Sequence, residues 1–506
     1  MTKSELFSLQ NGSDIRGTAC DGVPGEKVNL TPQTAFRIAR AFVQWLSIKL
    51  KKNPDELTVG IGRDSRIPGP ALLNAAAAGM PQAGANVIDC GMATTPAMFM
   101  SCVFSETSFD GSVMITASHL PFNRNGIKFF DHDGGLDHED ITIILDITEN
   151  EENLICQEKT DFEKFDLVSL YASFLKRKIC DGLGKNESEK PLKNLKIAVD
   201  CGNGAGGFFA EKILVPLGAD TSGSCFLEPD GMFPNHIPNP ENPAAIKSIR
   251  DAVINSGADL GLIFDTDVDR MSAVFSDGEE VNRDAIIALV SSILAEENPG
   301  STIVTDSVTS DRLTDFLENH LGLKHLRFVR GYKNVINKQK ELNEQGINCP
   351  LAMETSGHGA LKENYYLDDG AYLAVKLIIA LSKAEQSGKK LESYIAGFKK
   401  GLPGEEKEFR LKITAEDFAS AGKEILKSIR KTAAEKGYIL PLSYEGVRIS
   451  FKNEDLRGWI LFRMSLHDPV MPVNVEGERP GDCRKLTEIV KSLVSPSPAL
   501  DISCLK

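Results

Sequence analysis

The stretch T-A-S-H-L-P-F-N-R-N-G-I-K, Thr116 to Lys128, decides the reading of this chain. It sets Ser118, His119 and Lys128 in a segment rich in turn-forming residues, directly after the apolar run Val113-Met114-Ile115. An apolar run stopped by such punctuation reads as a strand feeding a turn. A strand that ends this way is expected to present its serine to solvent, where the hydroxyl acts as a nucleophile or carries a phosphoryl group.

Two more segments carry chemistry. Leu260-Gly261-Leu262-Ile263-Phe264 reads as a buried strand and runs into D-T-D-V-D-R, Asp265 to Arg270. Asp265, Asp267 and Asp269 stand at alternate positions and converge on one ion if the loop curls. Three carboxylates with no His or Cys beside them favour magnesium over zinc. Thr266 is β-branched and resists the left-handed backbone that a glycine would allow there. Further on lies M-E-T-S-G-H, Met353 to His358. A carboxylate such as Glu354 can accept hydrogen bonds from two adjacent hydroxyls and so fix a hexose ring.

These segments, in this order, resemble the loops of the α-D-phosphohexomutases, which include phosphoglucomutase, phosphomannomutase and phosphoglucosamine mutase. The resemblance implies that Ser118 carries the transferred phosphoryl group and that Lys128 sits in the active site. It implies a magnesium ion on Ser118, Asp265, Asp267 and Asp269, and ring-hydroxyl contacts from Glu354, Ser356 and His358. The family's metal loop reads D-G-D-A-D-R, so Thr266 is a departure that puts the loop's shape in question. The family's phosphate loop, R-x-S-G-T-E-P-x-x-R, is matched incompletely by R-M-S-L-H-D-P-V-M-P, Arg463 to Pro472. Arg463, Ser465 and Pro469 match. Leu466, His467 and Pro472 stand in place of Gly, Thr and the second Arg. Proline offers neither an N–H nor a cation, so one guanidinium is lost. His467 restores some donor capacity, and an alternative is a phosphate site rebuilt from Arg479 or Arg484 nearby.

Weaker matches extend the likeness over nearly the whole chain. N-G-S-D-I-R-G, Asn11 to Gly17, makes Arg16 the residue facing the serine. G-R-D-S-R, Gly62 to Arg66, offers Arg63 as a cation. The stretch from Pro229 to Pro243 resembles a loop that organises the second domain and the metal region. R-G-Y-K-N-V-I, Arg330 to Ile336, offers Arg330 and Lys333 as phosphate or sugar contacts.

At 506 residues the chain is too long for one ordinary core. Its net charge of −14 argues against nucleic acid and anionic membrane as partners. A phosphosugar must therefore be drawn by local cations. The 10 cysteines are scattered without a C-x-x-C pair, which reads as reduced thiols in a cytoplasmic setting. No apolar leader or membrane-length run is visible. A monomer or small homo-oligomer is expected.

Strands alternate with amphipathic helices through the first four hundred residues. Examples are strands at 57–61, 85–90, 195–199 and 301–305 and helices at 69–83, 244–256 and 310–321. This argues βαβ units. The polar stretch Cys180 to Pro191 reads as a loop. Beyond Gly404 a helix at 415–436 is flanked by strands at 408–414, 446–451 and 459–464. The expected fold is α/β: three consecutive α/β mixed-sheet domains (1–160, 161–278 and 279–402) and a C-terminal α+β domain (403–506) around a central active-site cleft.

The resemblance implies phosphoryl transfer between the 1- and 6-oxygens of a hexose phosphate, through a bisphosphate that reorients. Arg16, Lys128 and Arg270 supply positive charge, and Lys128 competes with His119 and His358 as general acid or base. The altered fourth loop keeps an alternative open. An enzyme that releases its intermediate acts as a hexose 1,6-bisphosphate synthase, recharged by a donor such as fructose 1,6-bisphosphate. A catalytically weak sugar-phosphate-binding regulator is the third reading.

Overall fold

The computed structural model describes residues 2–151, 154–156, 161–398, 404–465 and 468–505. They divide into two compact units, Met1–Asn282 with Ser356–Glu392, and Arg283–Thr355 with Ser393–Lys506.

The first unit holds an eight-stranded mixed sheet. At its centre, Gly111–Ile115 is buried at all five positions and contains the apolar run Val113-Met114-Ile115. It pairs in parallel with Thr58–Arg63 and antiparallel with Arg124–Asp131, the strand that carries Lys128. Asp14–Thr18, with Arg16, pairs on the far side of Arg124–Asp131. Helix Pro32–Leu50 starts on a Thr31 cap with proline in its first turn, and it buries Phe36, Phe42, Val43 and Leu46. Phe42 meets Phe129 of the sheet with ring centroids 4.7 Å apart.

A second sheet in this unit is four-stranded: Glu280–Val281, Met271–Phe275, Leu260–Phe264 and Ile197–Asp200. Leu260–Phe264 and Met271–Phe275 are antiparallel neighbours, so the Asp265–Arg270 loop is the turn of a hairpin. Residues 356–392 contribute the small hairpin Gly359–Leu361 with Leu367–Asp368 and the helix Gly370–Gln386. Asp369 caps that helix and accepts the Tyr171 hydroxyl at 2.6 and 2.7 Å, which ties it to helix Leu167–Leu183.

The second unit contains three parallel strands in the order Lys324–Arg327, Thr302–Thr305, Leu351–Met353. Helix Tyr332–Glu344 packs Val335 and Leu342 with Val304 and Ala352. Its C-terminal part is a five-stranded antiparallel sheet in which Val470–Gly477 is central, between Arg457–Phe462 and Glu405–Ile413. Helices Phe418–Glu435 and Asp482–Val494 close its core.

The observed class is thus three mixed α/β sheets followed by an antiparallel α+β domain. Two local expectations are corrected. The Cys180–Pro191 loop begins late, because helix Leu167–Leu183 runs on until Gly184 (φ 61°) stops it. The 310–321 helix is α-helical only over Asp311–Asp315 and widens to a π-turn over Phe316–His320. Among the described residues no helix is long and apolar enough to cross a membrane.

Candidate active site

Ser118 is buried, at 3% exposure, not presented to solvent as the turn reading predicts. The Asp265–Arg270 hairpin folds over it. Its Oγ donates to Asp265 Oδ2 at 2.8 Å and accepts from Arg270 Nη2 at 2.9 Å, with His119 Nδ1 at 3.4 Å. The serine sits at φ 51°, in the left-handed region. For a residue with a Cβ that conformation costs about 1–2 kcal/mol, and the surroundings must hold it.

Arg66 supplies much of that hold. Its fully buried guanidinium donates to the carbonyls of Leu120 (2.7 Å), Pro121 (2.8 Å), Arg124 (3.1 Å) and Ser118 itself. Asp64 balances it at 3.3 Å and accepts the Thr116 hydroxyl at 2.7 Å, while Thr116 Oγ1 accepts the Ser118 N–H. Replacing Arg66 with alanine leaves these carbonyls and the Asp64 carboxylate without their cation. The expected loss is about 3–5 kcal/mol of stability, read in urea denaturation. A loss below about 1 kcal/mol would mean that the turn holds itself.

The metal-loop expectation is corrected in detail. The left-handed residue is Val268 (φ 66°), not Thr266. The threonine therefore needs no glycine-like backbone, and the strain falls on another β-branched residue. Gly370 N–H binds the Val268 carbonyl at 3.1 Å and Thr95 N–H binds the Asp267 carbonyl at 2.9 Å, which fixes the turn.

Asp265, Asp267 and Asp269 are buried, and one oxygen of each lies within 4.8 Å of the others. Lys128 Nζ bonds Asp267 Oδ2 at 3.1 Å and Asp269 Oδ2 at 2.6 Å. Thr95 Oγ1 also donates to Asp267 Oδ2 at 2.5 Å. Asp267 Oδ1 and Asp269 Oδ1 are buried with no hydrogen-bond partner. Orphaned carboxylate oxygens in an all-oxygen set fit a hard divalent cation. Burial pushes Asp265 up to about 8, with the charge of Asp269 adding to it and Arg270 opposing. Burial would raise Asp269 too, but Lys128, His358 and Arg270 hold it well below the ordinary carboxylate range.

The other candidates of this unit gather at the same place. Arg270 Nη2 lies 2.7 Å from His119 Nδ1, so that nitrogen accepts. Burial, then the Arg270 and Arg16 cations, push His119 down to about 3. Arg16 bonds Asp14 at 3.0 Å. His358 Nε2 lies 3.6 Å from Asp269 Oδ1 and 3.7 Å from Asp368 Oδ2, and its Nδ1 is 2.9 Å from Ser356 Oγ.

The second unit holds the remaining candidates. Glu354 Oε1 accepts the Gly331 N–H at 2.7 Å. Arg330 Nε lies 3.9 Å from Asp306, whose carboxyl is pushed up to about 7 by burial and then by the charge of Glu354. Lys333 lies in the first turn of helix Tyr332–Glu344. Burial and then the Arg330 cation lower Arg463. Ser465 N–H bonds the Val470 carbonyl at 3.1 Å. Leu466 and His467 lie outside the described residues.

Arg479 and Arg484 follow Gly477, at the end of strand Val470–Gly477 away from Ser465 and the fourth loop. Arg479 is bound to Asp482 at 2.9 Å and to the Glu454 carbonyl at 2.8 Å, and Arg484 is exposed on a helix. The cation directly across the sheet from Pro472 is Arg410. Arg66 is thus a residue that sequence reasoning missed, and Arg410, which lies 3.6 Å from Glu408 and 3.7 Å from Asp468, is a cation it did not single out. Arg66 ends the G-R-D-S-R stretch, while the Nη1 of Arg63, the cation expected from it, bonds the neighbouring Asp64 carbonyl at 2.9 Å. Arg410 becomes visible only with the strand register.

Comparison with known proteins follows the same order along the chain. The models of the phosphoglucomutase/phosphomannomutase alpha/beta/alpha domains I, II and III match residues 9–154, 171–278 and 282–400. A phosphomannomutase/phosphoglucomutase of Pseudomonas putida is 31% identical over 498 residues, covering 98% of this chain and 97% of the relative. A phosphoglucomutase of Neisseria gonorrhoeae is 27% identical, covering 96% of each. A phosphoglucomutase/phosphomannomutase family protein from Burkholderia thailandensis shares the fold, with a TM-score of 0.77, 24% identity and 99% of both chains covered. The chain belongs to the phosphoglucomutase/phosphomannomutase family of the α-D-phosphohexomutase superfamily.

Proposed function

We propose that this protein is a magnesium-dependent phosphohexomutase that carries a phosphoryl group on Ser118 between the 1- and 6-oxygens of a hexose phosphate. The observation that carries the reading is the buried Ser118 hydroxyl, bonded to Asp265 and Arg270 beside the three-aspartate cluster. A sugar hydroxyl oxygen attacks the phosphorus in line, the P–Oγ bond breaks, and the hydroxyl's proton passes to a base while Oγ regains one. Arg270 stabilises the charge that develops on Oγ. A magnesium ion on Asp265, Asp267 and Asp269 would neutralise the oxygens of the transferring group. His119 stays neutral and accepts from Arg270, so proton transfer falls to Lys128 and His358, which flank opposite oxygens of Asp269. Glu354 and Ser356 contact the sugar, and Arg463, Ser465, Arg330 and Lys333 hold the phosphate that does not react. The test is conversion of glucose 1-phosphate to glucose 6-phosphate with catalytic glucose 1,6-bisphosphate and magnesium.

Arg410 replaces the cation lost at Pro472 in this reading. Arg410→Ala is expected to raise KM for glucose 1-phosphate about tenfold, as the loss of one charge-assisted contact does, with kcat changed less. An unchanged KM would remove Arg410 from the phosphate site.

Pro472 also favours a second reading, hexose 1,6-bisphosphate synthase, because a weaker phosphate grip shortens residence of the bisphosphate. Stoichiometric glucose 1,6-bisphosphate, formed as fructose 1,6-bisphosphate is consumed, would select it over the mutase.

A further inference from the structure

The loop from Pro229 to Pro243 touches both arginines that hold Ser118. On one arm, the Gly231 backbone lies so close to Ser65 and Ile67 that an added Cβ would come within 2.6 Å of the Ser65 carbonyl oxygen. The Phe233 ring lies under the Arg66 guanidinium at 5.1 Å. On the other arm, Asn239 Oδ1 accepts from Arg270 Nη1 at 3.3 Å. Between the arms stands His236, whose side chain is 2% exposed. Its Nε2 lies 3.0 and 3.1 Å from the two oxygens of Asp200, and its Nδ1 lies 3.0 Å from the Ile237 carbonyl. A carboxylate and a carbonyl only accept, so both ring nitrogens must donate, and the ring is an imidazolium. Asp200 is fixed in turn by Ser248 Oγ at 2.6 Å and Gly202 N–H at 2.9 Å.

We infer that His236, clamped as a cation between Asp200 and the Ile237 carbonyl, is a positioning residue that seats the 229–243 loop against Arg66 and Arg270 and so keeps Ser118 ready to accept a phosphoryl group. The inference deepens the proposed function and rests on Ser118 as the phosphoryl carrier.

The clamp has a pH dependence with a definite sign. Burial alone would lower the imidazole, but the hydrogen bond and charge of Asp200 and the Ile237 carbonyl outweigh it and raise its pKa above 6.5. The Phe226 ring lies edge-on to the imidazole. The Cys225 thiol, which shares Asp200, is pushed up by burial to about 12 and stays neutral. The folded protein holds this proton more tightly than the unfolded chain. The stabilisation is therefore complete below about pH 6.5 and is lost as pH rises through the folded value.

The full-length protein, loaded with magnesium, is mixed with glucose 1,6-bisphosphate from about pH 6 to about pH 9, and phosphate on Ser118 is followed by mass spectrometry. The wild-type rate should fall on the alkaline side. Asp200→Asn, which keeps the imidazole, should move that fall to lower pH. His236→Asn should flatten it and lower the rate about tenfold or more. Wild-type rates and profiles in both variants would overturn the inference. A wild type that never gains phosphate on Ser118 would overturn the carrier reading instead. Hydrogen exchange then decides the clamp separately. Residues 229–243 should exchange faster in His236→Asn than in wild type at the same pH, and equal exchange would overturn it.

Discussion

Ser118→Ala protein is expected to fold and to lose turnover by about 10⁴–10⁶-fold, the scale seen when a covalent nucleophile is removed. Folding survives because the turn is held by backbone groups that the substitution leaves in place: the Arg66 bonds to the carbonyls and the Ser118 N–H bond to Thr116. Alanine at φ 51° is strained about as serine is, so the melting temperature should move by only a few degrees. What disappears is the oxygen between Asp265 and Arg270. Arg270 remains paired with Asp265 at 3.0 Å, so no guanidinium is stranded. The assay is mutase turnover with glucose 1,6-bisphosphate present. A variant that keeps a tenth or more of wild-type turnover would show that another group carries the phosphate.

Asp267→Asn should have the next largest effect, and its signature is in the metal dependence. Asp267 Oδ2 already receives Thr95 and Lys128, and Oδ1 has no partner. The amide keeps the shape but removes a negative charge and sets an N–H₂ against one of these positions. The magnesium concentration for half-maximal activity should rise at least about 10–100-fold, and turnover at saturating metal should fall about 10²–10³-fold. Asp267 helps to raise Asp265, so its neutral replacement should also bring Asp265 below about 8. Magnesium titration followed by activity, and by isothermal calorimetry at two pH values, reads both effects. Metal binding and turnover indistinguishable from wild type would remove the loop from the chemistry.

The parts of this site written in contiguous sequence are legible without a structure. An apolar run followed by a turn, or by alternate aspartates, specifies a strand and its loop: Val113–Ile115 lies within strand Gly111–Ile115, and Leu260–Phe264 forms as read. What such patterns omit is what lies above the loop. Ser118 is a turn residue and yet buried, because a hairpin nearly 150 positions later closes over it. Thr266 looks strained by comparison with a glycine, while the left-handed residue is Val268, since only the traced turn shows which position reverses the chain. Arg66 and Arg410 are placed by tertiary contacts and strand register, neither of which has a periodicity of its own. Cys180–Leu183 looks polar enough for a loop but continues a helix whose buried face carries Ile179 and Cys180 until a glycine ends it.

The most direct test of the central claim follows a labelled phosphate. Protein phosphorylated with ³²P from glucose 1,6-bisphosphate is digested and the labelled residue identified, and a second portion is chased with unlabelled glucose 1-phosphate. The account predicts label on Ser118 that leaves quantitatively into glucose 1,6-bisphosphate and glucose 6-phosphate. Label on another residue, or label on Ser118 that the sugar phosphate does not remove, would contradict it.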